Sequence, residues 1–344
     1  MRAAYMYAPG DVRMIDAPEP RIEQPTDAVL RTLVACVCGS DLHPYHSMTP
    51  SEKGRPMGHE MIGVVEEVGS EVRTVSPGDV VIVPFVFSCG VCEFCRAGLQ
   101  TSCRVAGLSV PTGAGGAQAE YRRAPFADGT LVRVDVAEDD ERMPGLLTLS
   151  DVYGTGHHAA VTGGAGPGTD VVVIGDGAVG LLAVLSARRL GAERNILMGR
   201  HAARTDLGRR FGATDVVADR GDEGVATVRE LTDGLGAHVV VDAVGHLPAY
   251  EQALGVVRPG GAVARVGVPQ YADAPLQRIQ FERNVTVTGG VAPVRAYIDD
   301  LLPGVLDGTV DPGAVFDLEL PLGDAADGYR LMDDRAALKV MLRP

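Results

Sequence analysis

The chain has 344 residues, more than one hydrophobic core usually organises, which implies two domains. Hydrophobic residues make up 46% and charged residues 22%, a balance that excludes disorder and fits a packed soluble protein. Acidic side chains outnumber basic ones 45 to 31, for a net charge of −14, and only Lys53 and Lys339 are lysines. No basic run interrupts the chain, so neither nucleic acid nor an anionic membrane is expected as a partner.

The opening stretch MRAAYMYAPGDVRMIDAPEP lacks the apolar core of a signal peptide. No segment approaches the roughly 18 to 20 apolar residues of a membrane span. A soluble, cytoplasmic protein is the expectation. Residues 1 to about 150 then run in short apolar bursts, among them AVLRTLVAC, MIGVVEEVG, DVVIVPFVF and AEYRRAPFADGTLVRV. Turn residues such as Ser76-Pro77-Gly78-Asp79 bound these bursts, the pattern of short strands in a rolled sheet or partial barrel.

After Leu149 the pattern changes. VVVIG (171–175) reads as a buried parallel strand, and the helically spaced AVGLLAVLSARRLG follows a glycine-rich turn. NILMG (195–199), a polar helix to Phe211, DVVA (215–218) and a helix near 223–232 come next. HVVVDAVG, AVARVGV and NVTVTGG supply three further strands. Strands and helices alternating every 20 to 30 residues predict a doubly wound parallel sheet. The last segment, from about Ala292, mixes a helix, loops and the short strand LKVML, and is expected to return to the first domain.

Four of the six cysteines, Cys89, Cys92, Cys95 and Cys103, form C-x2-C-x2-C-x7-C. Disulfides, redox-active CxxC pairs and free thiols are alternative readings, but four thiols on tight turns favour a structural zinc. A site closed by four protein ligands stabilises a lobe and performs no chemistry.

Gly175-Asp176-Gly177-Ala178-Val179-Gly180 is a G-x-G-x-x-G placed between a strand and a helix, the context a dinucleotide site requires. Gly175 permits the tight turn, Gly177 the approach of a pyrophosphate, and Gly180 close packing of helix on strand, with the helix N-terminus facing the phosphates. A purely structural turn is the competing reading. An NAD site usually carries a carboxylate about 20 residues on. Here Gly199 stands at that point, followed by Arg200 and His201. Room beside Gly199 and a guanidinium for a 2′-phosphate favour NADP over NAD, unless Arg200 only stacks or lies in solvent.

Cys38-Gly39-Ser40-Asp41-Leu42-His43, Gly58-His59-Glu60 and the segment beginning LSDVYGTGHHAA (149–160) carry further metal-competent side chains, though their separations are too long to define a set. Together with the four-cysteine lobe, VIGDGAVG and LKVML, these motifs resemble, nearly end to end, the zinc-dependent medium-chain dehydrogenases of the alcohol dehydrogenase superfamily. The resemblance implies an α/β chain. A GroES-like β-barrel catalytic domain would span 1–154, with the zinc lobe at 88–104. A Rossmann-type domain would span 155–291, and 292–344 would return to the catalytic domain.

By the same resemblance Cys38, His59 and Asp151 would hold a catalytic zinc, the second zinc of the chain, with Glu60 able to enter the fourth position. Aspartate at 151 is similar to the bacterial secondary-alcohol dehydrogenases, several of which lack the four-cysteine lobe. Three protein ligands leave one position open, and one thiolate with one carboxylate neutralise the ion. Asp41 is the expected hydrogen-bond partner of the His59 ring, with a turn-capping aspartate as the alternative. Such a zinc polarises the substrate oxygen, and nicotinamide exchanges the hydride.

Ser40 and His43 match the family's proton relay, which runs through the cofactor ribose to solvent. Thr155, Val266 and Val268 match positions at the nicotinamide, and Lys339 a basic position near the pyrophosphate, unless it is a snorkelling surface lysine. The remaining histidines read as structural or exposed, and Cys36 as a small buried hydrophobe. Phe85, Val86, Val291 and Ala292 are expected to wall an apolar pocket.

The leading expectation is therefore an NADP-linked, zinc-dependent dehydrogenase of small secondary alcohols and ketones or aldehydes, assembled as a homodimer or homotetramer. A polyol or sugar dehydrogenase using NAD is the nearer alternative. A non-enzymatic dinucleotide-binding redox sensor is the remote one, disfavoured because the ligand and relay residues are all present.

Overall fold

A computed structural model describes residues 1–108, 113–273 and 277–344. The chain divides into two compact units, Met1–Asp151 with Pro293–Pro344, and Val152–Ala292. The helix Val152–Gly163 opens the second unit.

Among the described residues, the first unit is built on a seven-stranded sheet. Its order is Leu318–Pro321, Val340–Arg343, Ala28–Cys36, Met61–Val68, Val80–Val83 and Val132–Val134, with Tyr121–Ala124 also pairing to Ala28–Cys36. All pairs are antiparallel except Leu318–Pro321 with Val340–Arg343. The chain's last strand thus lies beside Ala28–Cys36, with Met341 opposite Cys36, which returns the C-terminal segment to the N-terminal domain. Leu30, Met61, Val81, Val83 and Phe87 form the core of this sheet, and Cys95 and Cys103 of the lobe pack into it. Each fully buried aliphatic side chain contributes about 1.5–3 kcal/mol. The segment AEYRRAPFADGTLVRV is two strands separated by a short helix, Ala127–Thr130, because Phe126 turns the backbone into the left-handed region at φ +54°.

Among its described residues the second unit carries six parallel strands, in the order Asp215–Val217, Arg194–Met198, Asp170–Ile174, Ala237–Asp242, Val257–Arg265 and Thr286–Gly289. Numbered within the unit, this is 3-2-1-4-5-6, the doubly wound order whose switch point lies between the first and fourth strands. Asp170–Ile174 and Ala237–Asp242 are buried almost throughout, which suits valine-rich strands covered on both faces. Among the described residues no helix is long and apolar enough to cross a membrane.

Candidate active site and metal centres

Strand register assembles the first cluster. Ala35 pairs with Met61, and Met341 with Cys36, so three chain segments end side by side: Cys38 after its strand, His59-Glu60 before theirs, and Lys339 before the last. Asp151 joins them from the turn after the helix Met143–Thr148, its N–H donating to Thr148 O at 3.3 Å. One donor atom each of Cys38, His59, Glu60 and Asp151 lies within 4.8 Å of all the others.

His59 Nε2 is 3.2 Å from Asp151 Oδ2, and Cys38 Sγ is 3.8 Å from the same oxygen. On the far side of the ring, Nδ1 faces Asp41 Oδ1 at 3.4 Å. Asp41 also accepts the Cys38 N–H on Oδ2 at 3.1 Å, so it caps the turn and faces the histidine at once. Burial pushes the Cys38 thiol and the Glu60 carboxyl up. Burial disfavours a charged His59, yet Asp41, then Cys38 and Asp151, hold it well above the ordinary histidine value. A sulfur, a nitrogen and two carboxylates crowded in a buried site suit a borderline-soft cation, which would replace their protons. Glu60 Oε2 has no hydrogen-bond partner, as expected of an oxygen kept for an ion.

Lys339 is not turned outward. It is 1% exposed, and its ammonium donates to Glu60 Oε1 at 2.8 Å and to Val37 O at 3.4 Å. The snorkelling alternative is therefore excluded. The expected pyrophosphate role finds no support here, because the ammonium is spent on balancing a buried carboxylate. Ser40 sits in the turn Gly39–Asp41 and His43 in the first turn of the helix Leu42–Ser47, both half-buried. Phe85 lies edge-on to the His59 ring, with centroids 6.1 Å apart, and Val86 is buried. Val291 and Ala292 belong to the other unit, and Val291 is exposed.

In the lobe, one sulfur each of Cys89, Cys92, Cys95 and Cys103 lies within 4.8 Å of the rest. Cys92 Sγ is 3.5 Å and Cys89 Sγ 4.0 Å from Cys95 Sγ. A disulfide needs about 2.05 Å. Four thiolates at about 2.3 Å from one zinc stand about 3.8 Å apart, which these separations match. Backbone N–H groups of Arg104 and Cys95 hold Cys92 down to about 6, while burial pushes Cys95 up to about 12. The donor set fits zinc. Cys36 is free and buried.

In the second unit Gly177 caps the helix Ala178–Arg189, so Ala178 and Val179 form its first turn. Gly175 has φ +112°, and a Cβ on Gly180 would lie 1.9 Å from Gly175 O, so each is required by the backbone. Beside Gly177 the space is open, a cradle at a helix N-terminus that suits a pyrophosphate. Thr155 is buried in the helix Val152–Gly163, Val266 is half-buried and Val268 exposed.

Sequence reasoning missed Asp176. Its Oδ2 accepts the N–H groups of Arg200 and His201 at 2.9 and 3.0 Å and pairs with His201 Nδ1 at 2.8 Å. A Cβ on Gly199 would lie 2.6 Å from Asp176 Cβ. Gly199 is therefore small because Asp176 packs on it, which corrects the reason drawn from the sequence. The signal was a carboxylate inside the glycine motif itself.

Residues 24–135 match the alcohol dehydrogenase GroES-like domain family, and residues 178–303 the zinc-binding dehydrogenase family. A "probable zinc-binding alcohol dehydrogenase" of Mycobacterium tuberculosis is 35% identical, the match covering all of this chain and 89% of the relative. A "zinc-type alcohol dehydrogenase B" of Aspergillus flavus is 32% identical over all of this chain and 81% of its own length. The solved alcohol dehydrogenase from Thermus sp. ATN1 is 34% identical and superposes with a TM-score of 0.92 over the whole of both chains. On these matches, and with a zinc-competent donor set at the end of three paired strands, the chain belongs to the zinc-dependent medium-chain dehydrogenases of the alcohol dehydrogenase type.

Proposed function

We propose that this NAD(P)-linked alcohol dehydrogenase interconverts small secondary alcohols and ketones with NADP(H), at a zinc held by Cys38, His59 and Asp151. The observation that carries the reading is the convergence of Cys38, His59, Glu60 and Asp151 on one buried point. Zinc bound there supplies Lewis acidity to a substrate oxygen. Cys38 and Asp151 would neutralise its two charges and Lys339 balances Glu60, which leaves the Asp41 carboxylate as the uncancelled charge facing His59. A second zinc in the four-cysteine lobe holds that loop against the core.

The residues around the first site have separate tasks. Asp41 orients the His59 ring through Nδ1, leaving Nε2 for the metal. Phe85 presents an apolar ring edge-on to His59, which suits a hydrophobic carbonyl better than a sugar. Ser40 holds the hydroxyl proton of the substrate, and His43, whose unperturbed type titrates near neutrality, passes it to solvent.

NADP(H) is favoured because Arg200 is an exposed guanidinium immediately after Gly199. A second reading, NAD(H), rests on Asp176, whose carboxylate at the same turn would repel a 2′-phosphate. As in the oligomeric members of the family, a homodimer or homotetramer is the proposed assembly, which sedimentation would test. The deciding experiment is an NADPH and NADH oxidation screen across ketones, aldehydes and keto-sugars. Turnover of apolar ketones with NADPH supports the proposal; turnover confined to keto-sugars with NADH overturns it.

A further inference from the structure

Behind Asp41 lies a hydrogen-bonded chain that no catalytic assignment uses. Gln118, wholly buried, donates through Nε2 to Cys36 O at 3.0 Å and to Asp41 Oδ2 at 3.5 Å. Its Oε1 accepts the Tyr329 hydroxyl at 3.0 Å. Tyr329 is itself wholly buried and stacks on Tyr45, with centroids 5.6 Å apart. The partners fix the amide orientation, since a backbone carbonyl and a carboxylate only accept and the tyrosine hydroxyl donates.

The Gln118 backbone is pinned to the same place. Its N–H donates to Met57 O at 3.0 Å, its carbonyl accepts the Ala4 N–H at 2.8 Å, and Ala117 N–H donates to Gly58 O at 2.9 Å. Gly58 has φ +84°, and a Cβ there would lie 2.5 Å from Gln118 Cγ. The peptide that leads into His59 is therefore laid directly on the Gln118 side chain. One residue touches the strand end before Cys38, the turn carrying Asp41, the approach to His59, and the helix Ala325–Asp333 that bears Tyr329.

We propose that Gln118, braced by Tyr329, is a positioning residue for the metal centre: it fixes the Asp41 carboxylate so that His59 presents Nε2 at one angle. The choice of an amide has a physical consequence. A cationic donor would cancel the charge on Asp41, whereas a neutral one fixes its geometry and leaves its full charge facing the imidazole. A more basic, pre-oriented ligand binds metal more tightly, and removing such an outer partner costs about 10–100-fold in metal affinity. This inference rests on the metal site proposed above.

The test uses full-length chains stripped of metal and reloaded with cobalt(II), read by visible absorption and by competition with a chelator. Gln118→Met keeps the length and apolar stem of the side chain but removes both donor and acceptor. It is expected to weaken cobalt at the Cys38 site about tenfold and to shift its ligand-field band, while the four-cysteine site stays unchanged as an internal control. Tyr329→Phe, which removes only the hydroxyl, is expected to shift the same band by less. An unaltered band and affinity in Gln118→Met overturn the proposal. Should Gln118→Met fail to fold, an unaltered band in folded Tyr329→Phe overturns it. A wild-type chain that takes up cobalt only in the lobe overturns the metal-site reading and this inference with it. A wild-type site that loads while Gln118→Met matches it removes this inference alone.

Discussion

Lys339 donates its ammonium to Glu60 at 2.8 Å, with neither side chain more than 1% exposed, across 279 residues of sequence. Burial acts to lower the lysine, but Cys36, Glu60 and Cys38 hold it well above its ordinary value, and the 2.8 Å contact has ion-pair geometry. Removing one partner of a buried pair leaves an uncompensated charge, at a cost of about 3–5 kcal/mol. Lys339→Met should therefore lower unfolding stability by about that amount. Adding Glu60→Gln should recover most of the loss. Denaturant melts that show less than about 1 kcal/mol for the single variant would refute the argument.

Asp151 provides one carboxylate to the buried cluster from a turn of its own. Asp151→Ala should abolish hydride transfer and reduce bound zinc by one ion per chain. Fluorescence titration should find dinucleotide affinity largely retained. Wild-type turnover in this variant would exclude Asp151 as a ligand.

Metal analysis of the purified chain should give two zinc ions. Cys95→Ser should lose the lobe ion and lower the thermal midpoint, because Cys95 packs into the core of the first unit. The ion at Cys38 should remain. One zinc or none in the wild-type protein would contradict the two-site assignment.

Arg200 stands at the end of the second strand of the parallel sheet, where cofactors are distinguished. Arg200→Ala should raise KM for NADPH more than for NADH, by about tenfold for a lost bidentate contact of about 1.4 kcal/mol. Equal effects on the two cofactors would remove the 2′-phosphate argument and favour the reading based on Asp176.

Burial acts to raise Asp176, but the N–H groups of His201 and Arg200 and the His201 ring outweigh it and hold the carboxyl below its ordinary value. A depressed folded-state value stabilises the protein above the unfolded carboxylate range, about pH 4, and the contribution disappears as pH falls through the folded value. Asp176→Asn should thus be less stable than wild type at neutral pH, and the difference should narrow on acidification below about pH 4. Thermal melts across that range check the sign. A pH-independent difference would show that the turn is not anchored by the charge.

Short-range patterns carried much of this molecule. Val171–Gly175 followed by Gly177 and Gly180 is a strand, turn and helix because its geometry is decided within about ten residues, and the structure places Gly175 and Gly180 where the backbone requires glycine. The cysteine spacing likewise brings Cys89, Cys92 and Cys95 together, since turns of two residues span only a few ångströms, and the turn Gln100–Ser102 returns Cys103 to them. Cys38, His59 and Asp151 were legible only by family resemblance, because ligands separated by 21 and 92 residues leave no periodic trace. The burial of Lys339 against Glu60 left no trace in the sequence for the same reason.

By itself the amino-acid sequence determined the parallel sheet, the cysteine lobe and the glycine turn. All of these follow from apolar periodicity and local backbone chemistry. Tertiary structure alone decided that Lys339 balances Glu60, that Asp176 occupies the space beside Gly199, and that Gln118 underlies the peptide leading to His59. Each of these depends on strand register and on a buried polar group finding its partner far along the chain. A buried donor must be satisfied wherever the fold offers an acceptor, and which acceptor that is becomes defined only when the sheet has closed.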